Sequence, residues 1–270
     1  ITGSAAAADI TYDGAAQTLD GITIFTSNAA PANNDLVDIQ STATGSVYNI
    51  ATQDGDDTIN ITSNSTTLQS GNLDAILGQV RVDSGAGDDA LNISDYTAGI
   101  ADTYTVEETG SAQETVVRFN GTVADDVLYN ANIQDLGANS SNAANAGTVE
   151  DFHLIGSETG DNTYNINDTT GTETNTIDDG DVTTTASNNG TFNIQADSVQ
   201  PGAQNTFNGF DGNDTFNANF AADTTVPTDA STTFVINGGA VAADPANRDI
   251  VNLDVTADTT ARRRRAAGCG

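Results

Sequence analysis

The sequence predicts an all-β fold: a parallel β-solenoid or β-helix-like stack of short strands, with one or two antiparallel β-sandwich domains as the alternative. Three observations point there. A strand–turn–strand phrase recurs along the chain, and its large side chains fall at every other position, the period of a half-buried strand. No long stretch carries a helical period. Val, Ile, Leu and Phe number 17, 18, 10 and 9, so only 54 of 270 residues are strong core formers. A core that sparse suits a thin stack, in which each segment buries its side chains against the turns beside it.

The phrase reads VYNIATQDGDDTINI over 47–61 and VRVDSGAGDDALNI over 80–93. It returns as FHLIGSETGDNTYNI over 152–166 and FNGFDGNDTFNA over 207–218, with a degenerate copy in 234–239 and 249–253. Gly tolerates the positive φ of the corner, and Asp or Asn can hydrogen-bond the turn backbone. Equivalent glycines, Gly55, Gly87, Gly160 and Gly212, are 32, 73 and 52 residues apart, so each copy stands apart in the sequence. Further strands are expected at 22–25, 104–106, 115–119 and 191–194, one helical turn at 72–77, and a loop at 137–147. Repeated Asn-Ile pairs favour the solenoid, because there Asn and Thr on successive rungs can form ladders.

Charge narrows the function. The formal charge is −31 with no Lys, and four of the seven Arg form one run, Arg262, Arg263, Arg264 and Arg265. Only Arg81, Arg118 and Arg248 offset 38 acids in the rest of the chain. Such a body repels nucleic acid and anionic membrane, whose recognition needs clustered cations, and attracts divalent cations or basic partners. No run of 18 apolar residues is present, so no membrane-inserting helix is expected. Cys269 and His153 are the sole members of their types, which rules out an internal disulfide and a Cys/His metal cluster. Starting at Ile1 without Met, the chain reads as a processed secreted protein or a fragment. Residues 1–258 are expected to form the repetitive β domain and 259–270 an Arg-rich tail.

The Gly/Asp phrase resembles the haemolysin-type (RTX-like) repeat, Gly-Gly-x-Gly-x-Asp-x-Φ-x with Φ a large apolar residue. SGAGDDALN over 84–92 and GFDGNDTFN over 209–217 carry the resemblance, and 52–60 keeps Gly55, Asp57 and Ile59. It implies Ca2+ as a candidate cofactor, held by Asp57, Asp89 and Asp214 with Asp56 and Asp88 beside them. One isolated turn supplies about half of the six to eight oxygens that Ca2+ takes. The wider alternation with LDAI at 73–76, LDGI at 19–22 and ADTYTV at 101–106 is similar to repeat domains of giant bacterial surface proteins. That implies an extracellular, cell-surface setting.

The expected function is therefore a structural subunit of an extracellular filament, stalk or surface layer, with itself as partner. The Arg262–Arg265 tail is expected to dock on the acidic surface of a neighbouring copy, where Arg pairs well with carboxylates. The alternative is a calcium-stiffened adhesin module that binds carbohydrate or another cell-surface component. Of eight Asn-x-Ser/Thr triplets, Asn64 and Asn139 lie in expected loops and are the candidate glycosylation sites. No catalytic residues are expected. Carboxylate pairs carry no specificity among 38 acids, and no Ser/His/Asp set gathers around His153.

Overall fold

In the computed structural model the described residues are 22–26, 34–109, 114–119, 127–129, 149–167, 174–180, 189–195, 203–219, 233–239 and 249–254. The candidate residues Asn139 and Arg262 to Arg265 lie outside them, as do the expected loop at 137–147 and the tail.

The described chain is a β-solenoid with two sheets. Sheet A has ten strands: β1 (Ile22–Phe25), β3 (Val47–Ala51), β5 (Gln79–Asp83), β7 (Thr103–Thr109), β8 (Glu114–Arg118), β9 (Val127–Tyr129), β11 (Thr163–Ile166), β13 (Thr191–Gln195), β15 (Thr215–Asn219) and β17 (Ile250–Asp254). Sheet B has seven: β2 (Leu36–Ile39), β4 (Thr58–Ile61), β6 (Ala90–Ser94), β10 (Asp151–Ile155), β12 (Thr174–Asp178), β14 (Gln204–Asn208) and β16 (Thr233–Asn237). Apart from β8, odd strands lie in sheet A and even strands in sheet B, so one rung is a strand of A, a corner, a strand of B and a second corner. All pairs in sheet B are parallel, as are those of sheet A outside one meander. Parallel stacking rules out the antiparallel sandwich.

Register explains why the sequence alternates. Inward columns are apolar from rung to rung: Ile39, Ile61, Ile93, Leu154, Ile177, Phe207 and Ile236 align in sheet B. In sheet A the column Tyr104, Tyr164, Phe192, Phe216 stacks ring on ring, with centroids 5.2, 4.6 and 4.7 Å apart and planes within 17°. All four aromatic residues are fully buried. The outward columns carry the expected ladders. Asn193, Asn217 and Asn252 each donate Nδ2 to Oδ1 of the Asn one rung before, at 2.8–2.9 Å. On sheet B, Asn92 donates Nδ2 to Asn60 Oδ1 and Asn60 donates Nδ2 to Asp38 Oδ1, both at 2.9 Å. One inward pair is polar: Asn175 and Asn205 are buried and bond each other at 3.1 Å.

The phrase does not always serve the same corner. Its first two copies run from sheet A to sheet B (β3 to β4, β5 to β6), whereas the later copies run from B to A (β10 to β11, β14 to β15, β16 to β17). The switch falls at the meander, where β8 is antiparallel to both β7 and β9, and β9 lies beside β5. Sheet B pairs β6 directly with β10 at the same level. Sheet A is thus two strands longer there, about 10 Å at the usual interstrand spacing. Register partners in sheet B are 22 to 32 residues apart except across this insertion, where Leu91 meets Phe152, 61 residues on. The irregular glycine spacing arises from that insertion and from corner loops of unequal length.

Two expectations are corrected. The helical turn expected at 72–77 is a single hydrogen-bonded turn, Ile76 N to Leu73 O, and the one 3-10 helix among the described residues is Leu68–Ser70. The Gly/Asp turns do not stand alone, because strands distant in sequence become adjacent rungs: the turn at 52–57 lies against that at 84–89, with Gly55 N bonded to Ala86 O. A Cβ on Gly87, whose φ is +156°, would lie 2.0 Å from Gly55 O.

Phe192→Ala is expected to cost about 3–5 kcal/mol, because it removes a ring from the middle of the aromatic stack. Asn217→Ala on the outer ladder is expected to cost about 0.5–1.5 kcal/mol. Urea denaturation of both variants checks the difference; equal losses would contradict the assigned inner and outer faces.

Candidate functional site

The chemistry of the fold is concentrated at its corners. A residue that precedes a strand leaves the strand ladder, so its backbone N–H needs another acceptor. The acceptor comes from the next rung. Asp35 N donates to Asp57 Oδ1 at 2.7 Å, Asp57 N to Asp89 Oδ1 at 2.8 Å, and Asp89 N to Glu150 Oε2 at 2.9 Å. The opposite corner, leading from sheet B to sheet A, repeats the device. There Asp102 N meets Asn162 Oδ1 at 3.1 Å, Gly190 N meets Asp214 Oδ1 at 2.8 Å, and Asp214 N meets Asp249 Oδ1 at 3.2 Å.

An outer row runs beside each inner row in the opposite sense, its acceptors belonging to the preceding rung. Asp56 N bonds Asn34 Oδ1 and Asp88 N bonds Asp56 Oδ1 at 3.2 and 3.1 Å. Asn189 N bonds Asp161 Oδ1 and Asn213 N bonds Asn189 Oδ1 at 3.0 and 2.9 Å. The paired acids of the phrase therefore have separate tasks. Asp57, Asp89 and Asp214 are buried inner caps, while Asp56 and Asp88 are exposed outer ones.

Close packing fixes the inner row. A Cβ on Gly209 would lie 2.2 Å from Asp214 Oδ2, so only glycine leaves room for that carboxylate. The second oxygens, Oδ2 of Asp57, Asp89, Asp179 and Asp214, are buried without a hydrogen-bond partner. Burial accordingly pushes Asp89 and Asp179 up to about 7 and Asp214 up to about 8. The charges of Asp57 and Glu150 add to the effect at Asp89, and those of Asp179, Asp249 and Asp211 at Asp214. Asp95, whose Oδ1 accepts Leu73 N and whose Oδ2 accepts the Tyr104 hydroxyl, is raised by burial to about 7. Asp57 and Asp102 are raised by the same cause.

A Ca2+ ion needs six to eight oxygens. Stacked turns bring Asp57 beside Asp89, yet their Oδ1 atoms are committed to amides, and among the described residues no group of three or more Asp, Glu, His or Cys is placed to hold a metal ion. His153 lies on the outer face of sheet B, 30% exposed, with Nε2 2.8 Å from Asp178 Oδ2; Asp178 Oδ1 accepts Asn208 Nδ2. Asn64 lies in the loop after β4.

Sequence reasoning missed Asp95, Asp102, Glu150, Asn162, Asp179 and Asp249. For Asp102, Glu150, Asn162 and Asp249 a usable signal exists: a side-chain acceptor immediately before the first residue of an alternating strand. No protein-family model, curated protein or solved structure matches the chain.

Raised carboxyl pKa values fix the direction of the pH dependence. In the unfolded chain these groups titrate near 3.8. Between about pH 4 and pH 8 the native state therefore holds more protons than the unfolded state, and stability falls as pH rises. Melting temperature is expected to be higher at pH 5 than at pH 8.5. Asp214→Asn keeps the Oδ1 cap, as Asn162 does naturally, and is expected to flatten that slope. A melting temperature that rises toward pH 8.5 would contradict the buried-cap assignment.

Proposed function

We propose that the chain is a structural subunit of an extracellular assembly, a rod that lengthens by end-to-end β pairing with further copies of itself. The observation that carries this reading is the pair of open ends. Sheet A begins at β1 and finishes at β17, and neither has a second strand neighbour among the described residues. Both edges run in the same direction, so β17 of one copy and β1 of another can continue a parallel sheet.

The end rungs also present core-type side chains. Val251 and Leu253 continue the inward columns of Phe216 and Ala218, and are 55% and 59% exposed. At the other end Ile22, Ile24 and Val37 continue the inward columns of Tyr48, Ile50 and Ile59 and are only partly buried. An open end rung favours association, since it presents strand-edge backbone groups and apolar surface. Asn252 supports the same continuation, standing last in the outer Asn ladder.

Charge sets the conditions. At −31 the subunits repel one another, and the repulsion weakens with salt or acid. The Arg262–Arg265 run supplies a cationic patch for the acidic body of a neighbour. An extracellular setting agrees with a chain that lacks Lys and carries one Cys.

Electron microscopy of purified chains at neutral pH and moderate salt is expected to show ordered fibres. Val251→Pro removes an edge donor and Val251→Lys places a charge at the joint; each is expected to leave the monomer folded and to abolish fibres. Removal of residues 262–270 is expected to slow assembly. Monomers that stay dispersed in the unmodified protein would overturn the proposal.

A further inference from the structure

The structure separates one glycosylation triplet from the others. Triplets at Asn60, Asn64, Asn92, Asn167, Asn189 and Asn213 begin within the described residues. In four of them the reactive nitrogen is already used. Asn60 Nδ2 donates to Asp38 at 2.9 Å, Asn92 Nδ2 to Asn60 at 2.9 Å, Asn167 Nδ2 to Glu107 at 3.4 Å, and Asn189 Nδ2 to Asp161 at 3.0 Å. Asn213 is exposed, but the next two residues are the buried cap Asp214 and the first residue of β15, so its triplet is held against the stack.

Asn64 differs in every respect. Its triplet, Asn64-Ser65-Thr66, lies outside the strands, in the loop between β4 and the 3-10 helix. Asn64 is half-buried and Thr66 exposed. Among the described residues, the one hydrogen bond of the Asn64 side chain is made by its oxygen: Thr66 N donates to Oδ1 at 3.2 Å, closing a turn over the triplet. Nδ2 is left without a partner, next to the hydroxyl residue that defines the acceptor signal. A bent, accessible triplet with a free carboxamide nitrogen is the form in which a surface loop can be modified.

We infer that Asn64 is an acceptor site for an N-linked glycan, transferred from a polyprenyl-phosphate-linked sugar. The inference rests on the extracellular reading of the chain. Transfer forms a bond between Asn64 Nδ2 and the anomeric carbon, breaks the bond from that carbon to the phosphate oxygen, and releases the lipid phosphate. One amide proton passes to base. A glycan there sits in the connection from β4 to β5, where Ser65 Oγ accepts Gln40 Nε2 from the segment after the edge strand β2.

Peptide mass mapping of the chain recovered from its native cells, after fractionation of cell surface from cell interior, tests the site. The expected result is a sugar mass on the peptide that carries Asn64, lost completely in Thr66→Ala. That variant keeps the backbone N–H and hence the turn, and its melting temperature is expected to be unchanged. Unmodified Asn64 in surface-located chain overturns the site and leaves the extracellular reading standing. Sugar found on Asn60, Asn92, Asn167 or Asn189 instead also overturns it. Chain confined to the cell interior overturns the extracellular reading, and with it this site.

Discussion

The structure depends on one constraint: a solenoid turns two corners per rung, and each corner takes backbone amides out of the strand ladder. A buried amide left without an acceptor costs about 1–3 kcal/mol. Here the acceptors are carboxylates and carboxamides that belong to the adjacent rung. The Asp57, Asp89, Glu150 row and the Asp102, Asn162, Asp214, Asp249 row therefore do in side chains what the sheets do in backbone. For these cap amides the acceptor belongs to the neighbouring rung, not to the rung that turns the corner. Stability consequently resides between rungs, and a terminal rung is left with open groups.

The same constraint accounts for the switch of the repeat from one corner to the other. Both corners ask for one residue with positive φ, one outer cap and one inner cap, followed by an alternating strand. Gly55, Gly87, Gly160 and Gly212 meet the first demand at both corners, with φ between +117° and +156°. Because the two corners pose the same problem, the phrase can move between them. The β7–β9 meander is where it does so, adding strands to sheet A alone.

Most of the strands could be read in advance, since large side chains alternate wherever a strand of adequate length exists. Those of 22–25, 104–106, 115–119 and 191–194 belong to β1, β7, β8 and β13. The strands that escaped have a physical reason. β12 reads TNTID, with buried Asn175 in an inward position that a period argument assigns to an apolar residue. β9 is three residues long, and β2 places only one of its four residues in the buried class. Stacking of the Gly/Asp turns was hidden by distance along the chain, because 61 residues can separate neighbours in space. The acids were legible as turn residues. Their division into inner and outer caps was not, since it depends on which side of the corner faces the next rung.

Hydrogen exchange at single-residue resolution tests the corner account most directly. The amides of Asp57, Asp89, Gly190 and Asp214 lie in turns, where exchange is ordinarily fast, yet each is bonded to the next rung. The account predicts protection comparable to that of the neighbouring strand amides at Ile59, Leu91, Phe192 and Phe216. Exchange of those four amides at free-loop rates, while the strands stay protected, would contradict it.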